Sequence, residues 1–450
     1  MRNLAVITLA VLALFATLAQ ADDTVWVRTW RDGQECRGKA VAANGTDIFV
    51  AGTRLQESED IFAVKYDAAG DTAWASVLDL DTIERTLDIA VGTDGQPVVC
   101  AQVEGDPLKA SLVKFNTSGD TAWTRHLDRV QPSNLAVGTG NAVYLWASVF
   151  DTIPMEAFTL ARYEADGTLA WQKYVQLGQA NLSAGCCADA AGNIIATGTA
   201  FDSLGPVPAV LKFDASGDTL WTRTLSGLDI NLMLGIAAGA GDTIVATGMS
   251  GPDTKVTRLA GTGDTVWTRS YSLGHTTDDL NSVAMDGQGA TVLPRNRPGS
   301  AAELVKLGHD GDVLWQGDGR VPGAQSAVCV DSENRPVTAG ETTEGIPSCL
   351  TIKWEGQSGV EDPGRPARVE PQPGATVLDS NGLLSFQADL DGDYSLRLFD
   401  ATGALVREVH SGRLETGTHR FPVRELAAGS YTLSVQGPGR TEQSKVLVVR

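Results

Sequence analysis

Short apolar stretches separated by turn residues run along the chain with a fixed period. Each unit opens on an apolar piece such as Leu87-Asp88-Ile89-Ala90-Val91, followed by a turn such as Asp189-Ala190-Ala191-Gly192-Asn193. A second apolar strand ends near Gly, as in Ile194-Ile195-Ala196-Thr197-Gly198. After a loop of variable length comes an alternating strand, as in Ala209-Val210-Leu211-Lys212-Phe213-Asp214. A Gly-Asp turn then leads into Thr219-Leu220-Trp221-Thr222-Arg223-Thr224. Runs of this length, bounded by Gly, Asp and Asn, specify strands rather than helices. Four such strands per unit predict the blade of a propeller.

The last strand carries a marker. Gly-Asp-Thr-x-Trp recurs at 70–74, 119–123, 217–221 and 263–267, with degenerate copies ending in Trp171 and Trp315. Trp26 heads the series, so Trp26, Trp74, Trp123, Trp171, Trp221, Trp267 and Trp315 mark one structural position, 46 to 50 residues apart. Period-two alternation puts Thr219 and Trp221 on one face of their strand, and a flat Trp suits the wedge between adjacent sheets. The apolar–turn–apolar–Lys-Tyr-Asp portion occurs seven times, the last from Val328 to Glu355 with no Trp strand behind it. The first Trp strand, 23–30, has no unit in front of it. Together the two halves make one blade. The expected fold over 22–358 is therefore a seven-bladed β-propeller closed by the N-terminal strand, which removes exposed sheet edges.

Residues 187–223 carry the Asp-x-x-Gly-Asn and Lys-Phe-Asp-x-x-Gly-Asp-x-x-Trp patterns most fully. The repeat resembles the bacterial extracytoplasmic β-propeller repeat family (SBBP-like repeats), and the likeness covers roughly 22–358. It implies a fold and a repeat type, not a ligand. A weaker likeness is to quinoprotein-type propellers, whose longer Trp-docking motif is not matched.

Beyond the repeats the period is lost. Residues 359–374 are rich in Gly and Pro and read as a linker. Strands are expected at 383–388, 394–400, 405–410, 417–423, 429–435 and 444–449, the spacing of a small Ig-like β-sandwich over 375–450. Residues 394–400 (Tyr-Ser-Leu-Arg-Leu-Phe-Asp), with Gly403, Val406, Gly417, 426–431 (Leu-Ala-Ala-Gly-Ser-Tyr) and 445–449, resemble the C-terminal sorting domain of the type IX secretion system. That resemblance implies passage across an outer membrane, then removal of the domain or attachment to the surface. An Ig-like module used only for packing or adhesion has the same pattern.

The N-terminus agrees with export. Arg2 precedes an apolar run from Leu4 to Leu18, and Ala19-Gln20-Ala21 has small residues where a signal peptidase reads, so 1–21 is expected to be a signal peptide. The run is shorter than the roughly 20 residues a span needs, and no later stretch is long enough. The expected address is extracellular or the outer cell surface, with no transmembrane segment in the mature chain.

Charge narrows the partners. The net charge of -20 comes from 35 basic and 55 acidic residues, which disfavours nucleic acid. Residues 363–450 hold ten of each sign, so the acidity belongs to the repeats. The 49 Gly and 10 Trp are likewise products of the repeat.

Candidate chemistry is sparse. His126, His275, His309, His410 and His419 have no metal-ligand spacing, and no Gly-x-Ser-x-Gly elbow is present. Asp389-Leu390-Asp391-Gly392-Asp393 opens like a calcium loop but lacks the later Glu, and a hairpin turn is the expectation. Asp71, Asp120, Asp218, Asp264 and Asp312, with Asp67 and Asp214, share one class of turn and one face; capping their own backbone is the first expectation and calcium binding the second. Of six Cys, most read as small buried apolar groups, Cys186 and Cys187 on opposite faces of one strand, and Cys36 in a loop where it could pair, with no partner evident. Loops at 54–60, 150–157, 201–208, 295–301 and 340–347 lie on the opposite face, where binding is usually placed. The one irregular cluster, His275, Asp278, Asp279 and Arg295-Asn296-Arg297, reads as loops. No catalytic, cofactor-binding or metal residue is assigned. The expected function is a monomeric, non-catalytic binding or structural module for a protein or glycan. The alternatives are a secreted polysaccharide lyase or hydrolase, and a quinone-bearing electron carrier.

Overall fold

A computed structural model of the chain describes residues 23–56, 58–80, 83–149, 156–225, 227–274, 283–297 and 300–356. Toward the C-terminus it describes 376–378, 383–388, 391–400, 404–415, 417–423, 429–437 and 440–448. The expected signal peptide and linker lie outside these residues. Among the described residues the only helical elements are two single 3-10 turns, Thr139–Asn141 and Ala240–Asp242, and none is long and apolar enough to cross a membrane. The fold is all-β.

Each repeat forms an antiparallel meander. The first runs Glu35–Asn44, Asp47–Leu55, Glu59–Tyr66 and Thr72–Leu78, and four more four-stranded sheets follow, ending at Tyr271. A seven-stranded sheet comes last. Its strand Val313–Val330 is continuous but pairs with Ala301–Leu307 over 313–322 and with Pro336–Thr342 over 323–330. The sheet is therefore two four-stranded meanders sharing one long strand. At its far edge Thr24–Trp30 pairs antiparallel with Cys349–Trp354, from Thr24 opposite Trp354 to Trp30 opposite Cys349.

The first strands of successive meanders touch in order. Glu35–Asn44 contacts Glu84–Val91, and the series continues through Val130–Val137, Ala180–Ala188, Leu232–Gly239 and Ala284–Met285 to Val313–Val330, which contacts Glu35–Asn44. Between successive meanders lie seven apolar clusters, each drawing side chains from both neighbours. The central strands are covered on both faces, so they read as continuous apolar runs such as Ile48-Phe49-Val50-Ala51 rather than strict alternation. Side chains also tie neighbouring meanders near the first strands. The Cys186 N–H donates to Asn134 Oδ1 at 2.8 Å, and Asn296 exchanges two bonds with the Gln325 backbone at 2.8 Å each.

The C-terminal residues form a five-stranded sheet and a two-stranded one around Tyr394, Leu396, Leu398, Leu414, Val423, Tyr431, Leu433 and Val435. The strand Thr376–Leu378, not expected from the pattern, lies parallel to Arg440–Val448. The hairpin expected at 389–393 is a correction. Leu383–Ala388 pairs with Gly417–Pro422, whereas Gly392–Phe399 pairs with Leu405–Leu414 and Gly429–Gly437. The strands before and after the Asp-rich segment thus belong to different sheets, and Asp389 and Leu390 lie outside the described residues; alternation specifies a strand's faces but not its partner.

Candidate functional site

The seven marker Trp residues stand on the last strand of each meander, against the next repeat. The Trp26 Nε1–H donates to Ala68 O at 3.3 Å, Trp123 to Ala165 O at 3.1 Å, Trp221 to Gly261 O at 3.1 Å and Trp267 to His309 O at 2.7 Å. Each acceptor belongs to the following unit's Gly-Asp turn. Trp171 meets Gly217 of that turn, whose φ is +79°, and a Cβ there would lie 2.4 Å from the indole. Trp74 packs against Phe115 of the next unit and Trp315 edge-on to Trp354, with centroids 6.0 and 6.1 Å apart. The cation two residues after the Trp completes the clasp. Arg28 and Arg125 donate Nε–H to Gly70 O and Gly167 O at 2.7 and 2.8 Å, and Arg223 lies over the Trp221 ring at 5.9 Å.

This clasp engages the repeated turn carboxylates. Asp71 pairs with Arg28 at 3.8 Å, Asp264 with Arg223 at 4.0 Å, Asp218 with Lys173 and Asp312 with Arg269. Asp67 and Asp214 cap their own turns, each Oδ1 accepting two backbone N–H groups at 2.9 Å. The carboxylates on this face are thus held by protein donors.

A second repeated pair was missed in the sequence. Lys212, Lys306 and Lys353 are buried on third strands and reach Asp189, Asp286 and Asp331 at 2.8, 2.8 and 2.6 Å. The same carboxylates cap the first turn of their unit: Asp189 Oδ1 accepts the Ala191 and Asn193 N–H groups. Burial alone would raise the Asp189 carboxyl, but hydrogen bonds from Lys212 and Asn193 hold it below its ordinary range. Where Gly138 or Gly239 replaces the Asp, the third strand carries Arg162 or Arg258 instead of Lys. In the second unit Gly92 stands at that position with Lys114, which reaches Asp94 at 2.8 Å, so the available signal was the cation recurring on the third strand.

On the opposite face three arginines each bridge two carboxylates around the last, first and second sheets. Arg37 lies between Glu35 and Glu341, at 2.5 and 3.2 Å. Arg54 reaches Asp32 and Asp60, both at 2.7 Å, and Arg85 reaches Glu59 and Glu104 at 3.3 and 3.0 Å. Beside them Asp60, Asp79 and Glu84 bring one oxygen each to within 4.8 Å of one another; Asp60 and Glu84 are buried. Oxygen donors at this spacing suit a hard cation, although Asp60 is already held by Arg54 and by the Ser58 hydroxyl at 2.6 Å. Among the described residues these three, not the repeated turn Asp residues, form the carboxylate group close enough to share an ion.

The irregular cluster resolves differently. His275, Asp278 and Asp279 lie outside the described residues. Arg295 ends the strand Thr291–Arg295, buried and 3.8 Å from Glu303, so its reading as a loop residue is corrected; Arg297 pairs with the same Glu303 at 2.8 Å. Cys36 is also corrected: it is a fully buried residue of Glu35–Asn44, because its side chain faces the neighbouring sheet. Cys186 and Cys187 contribute to different inter-sheet clusters, on opposite faces. His126 lies on an outer strand, His309 Nδ1 accepts from Arg258 Nη2 at 3.1 Å, and His410 and His419 flank Phe421.

No protein-family profile matches the chain, and no curated protein sequence matches it. Solved structures do. Streptogramin B lyase aligns over 73% of this chain and 97% of its own, at 10% identity and a TM-score of 0.50. Puromycin hydrolase aligns over 92% of this chain and 60% of its own, at 14% identity and a TM-score of 0.51. The Dos1 propeller aligns over 76% and 98%, at 11% identity and a TM-score of 0.48. At such identities the likeness concerns the fold alone: the chain has a β-propeller scaffold.

Proposed function

We propose that the chain is an exported, seven-bladed propeller, closed by its N-terminal strand, that acts as a non-catalytic binding module for a protein or glycan. The contact series of first strands and the pairing of Thr24–Trp30 with Cys349–Trp354 support the blade number and the closure. The apolar N-terminal run and its Ala-Gln-Ala end support export, and the C-terminal strand pattern supports a sorting-type domain of the type IX kind. The observation that carries the binding role is the exposed pair Arg37 and Arg85, each between two carboxylates on the face of the variable loops, with the more enclosed Arg54 between them. Planar guanidinium and carboxylate groups held in register recognise hydroxyl-rich or charged partners.

A glycan array and a surface-protein capture test this reading. The purified chain is expected to bind one ligand class, with binding lost in Arg85→Glu and retained in Arg223→Ala on the other face. Equal binding by both variants sinks it. The second reading, a polysaccharide-active enzyme, rests on Asp60, Asp79 and Glu84, since carboxylates this close can divide acid and base roles. Turnover of any polysaccharide that Asp60→Asn abolishes would establish that reading instead.

A further inference from the structure

Six cysteines are present as free thiols, in several different places in the fold. Cys36 and Cys349 come from opposite ends of the repeat array and are both buried members of one apolar cluster, between the first and last sheets, with the less buried Cys329 packed against it. Both are fully buried. The Cys36 N–H donates to Pro347 O at 3.0 Å, which brings its strand against the segment entering Cys349–Trp354. Two residues further along, on the same face of that strand, a Cβ at Gly38 would lie 3.0 Å from Cys349 Sγ. The thiol of Cys349 is therefore within one side chain's reach of the face that Cys36 occupies. Cys329, in the same meander, is not in a comparable position: it pairs with Val337 at one end of the sheet, while Cys349 pairs with Glu341 at the other.

We propose that Cys36 and Cys349 form a disulfide in the oxidised protein, joining the first sheet covalently to the last. The oxidant is a small-molecule or protein disulfide. One Cys thiolate attacks it, releasing one thiol and leaving a mixed disulfide on the chain. The second Cys thiolate then displaces the other half, so two protons and two electrons leave the cysteines and two oxidant thiols are produced. Burial pushes both thiols above their ordinary range, so they are poor nucleophiles once enclosed. Exchange therefore takes place while the first and last sheets come together, and the finished bond is shielded from reductants.

The full chain, refolded with and without oxidised glutathione, tests this. After blocking with iodoacetamide in denaturant, peptide mass mapping of the oxidised sample is expected to show a cross-link between the Cys36 and Cys349 peptides. Titratable thiols should fall from six to four. The melting temperature is expected to rise by several degrees on oxidation, and the rise should be absent in Cys36→Ala and in Cys349→Ala. Mass mapping needs no variant, so it stands even where a substitution impairs folding. Six free thiols in the oxidised, folded protein, or a cross-link to any other cysteine, overturns the proposal.

Discussion

Two buried aspartates act in opposite directions as pH changes. Asp88, on the first strand of the second sheet, accepts the Leu135 N–H of the next sheet at 2.7 Å. Burial pushes its carboxyl up to about 7, although backbone donors at Leu135 and Ile89 pull it down. Between the ordinary carboxylate range and pH 7 the folded chain keeps this proton and the unfolded chain does not, so stability falls as pH rises through that window. Asn134 makes the equivalent bond one sheet further on, to the Cys186 N–H at 2.8 Å. Asp88→Asn is therefore expected to be near neutral at pH 4 and to stabilise by on the order of 2–4 kcal/mol at pH 8, read from urea unfolding. Asp189 behaves conversely. Its lowered carboxyl contributes stability that is complete above the ordinary range and is lost as pH falls through its folded value. Asp189→Asn leaves Lys212 buried without its counter-ion and is expected to cost about 3–5 kcal/mol at pH 7. That gap should close in acid.

Each element of the repeat could be read in advance, but its partner could not. Gly-Asp-Thr-x-Trp announces a tight turn and an outer strand from local chemistry alone. That the Gly of one unit lies on the Trp of the preceding unit follows only when sheets stack, since the bonded residues are some 42 positions apart. Two glycines separate the local from the stacked requirement. Gly45 and Gly217 both have positive φ, +64° and +79°, but only Gly217 has an indole where a Cβ would go. Gly45→Ala is expected to cost about 1 kcal/mol from backbone strain. Gly217→Ala is expected to cost about 2–4 kcal/mol, because Trp171 must also move. Equal melting temperatures for the two variants would remove the Gly–Trp clasp from the account. Trp26, the most enclosed of the markers at 6% exposure, is expected to cost about 3–5 kcal/mol on truncation to Ala.

At the scale of the whole molecule the terminal strand matters most. Removing 23–30 would uncover the edge of Cys349–Trp354 and take Trp26 from the cluster shared by the first and last sheets. Deletion is expected to abolish cooperative unfolding, with calorimetry as the measurement, and a truncated chain melting like the full one would show that the pairing is dispensable. The strands, the repeat period and the marker Trp residues were determined by the sequence itself, because alternation and turn chemistry act over a few neighbouring residues. In the C-terminal part the same local rules located strands but not the short parallel Thr376–Leu378 or the passage between sheets. Which lysine meets which buried aspartate, which arginine bridges which carboxylates and which cysteine faces Cys36 were decided by the tertiary structure. Those contacts join residues far apart in the chain, and they exist only once neighbouring sheets have packed face to face.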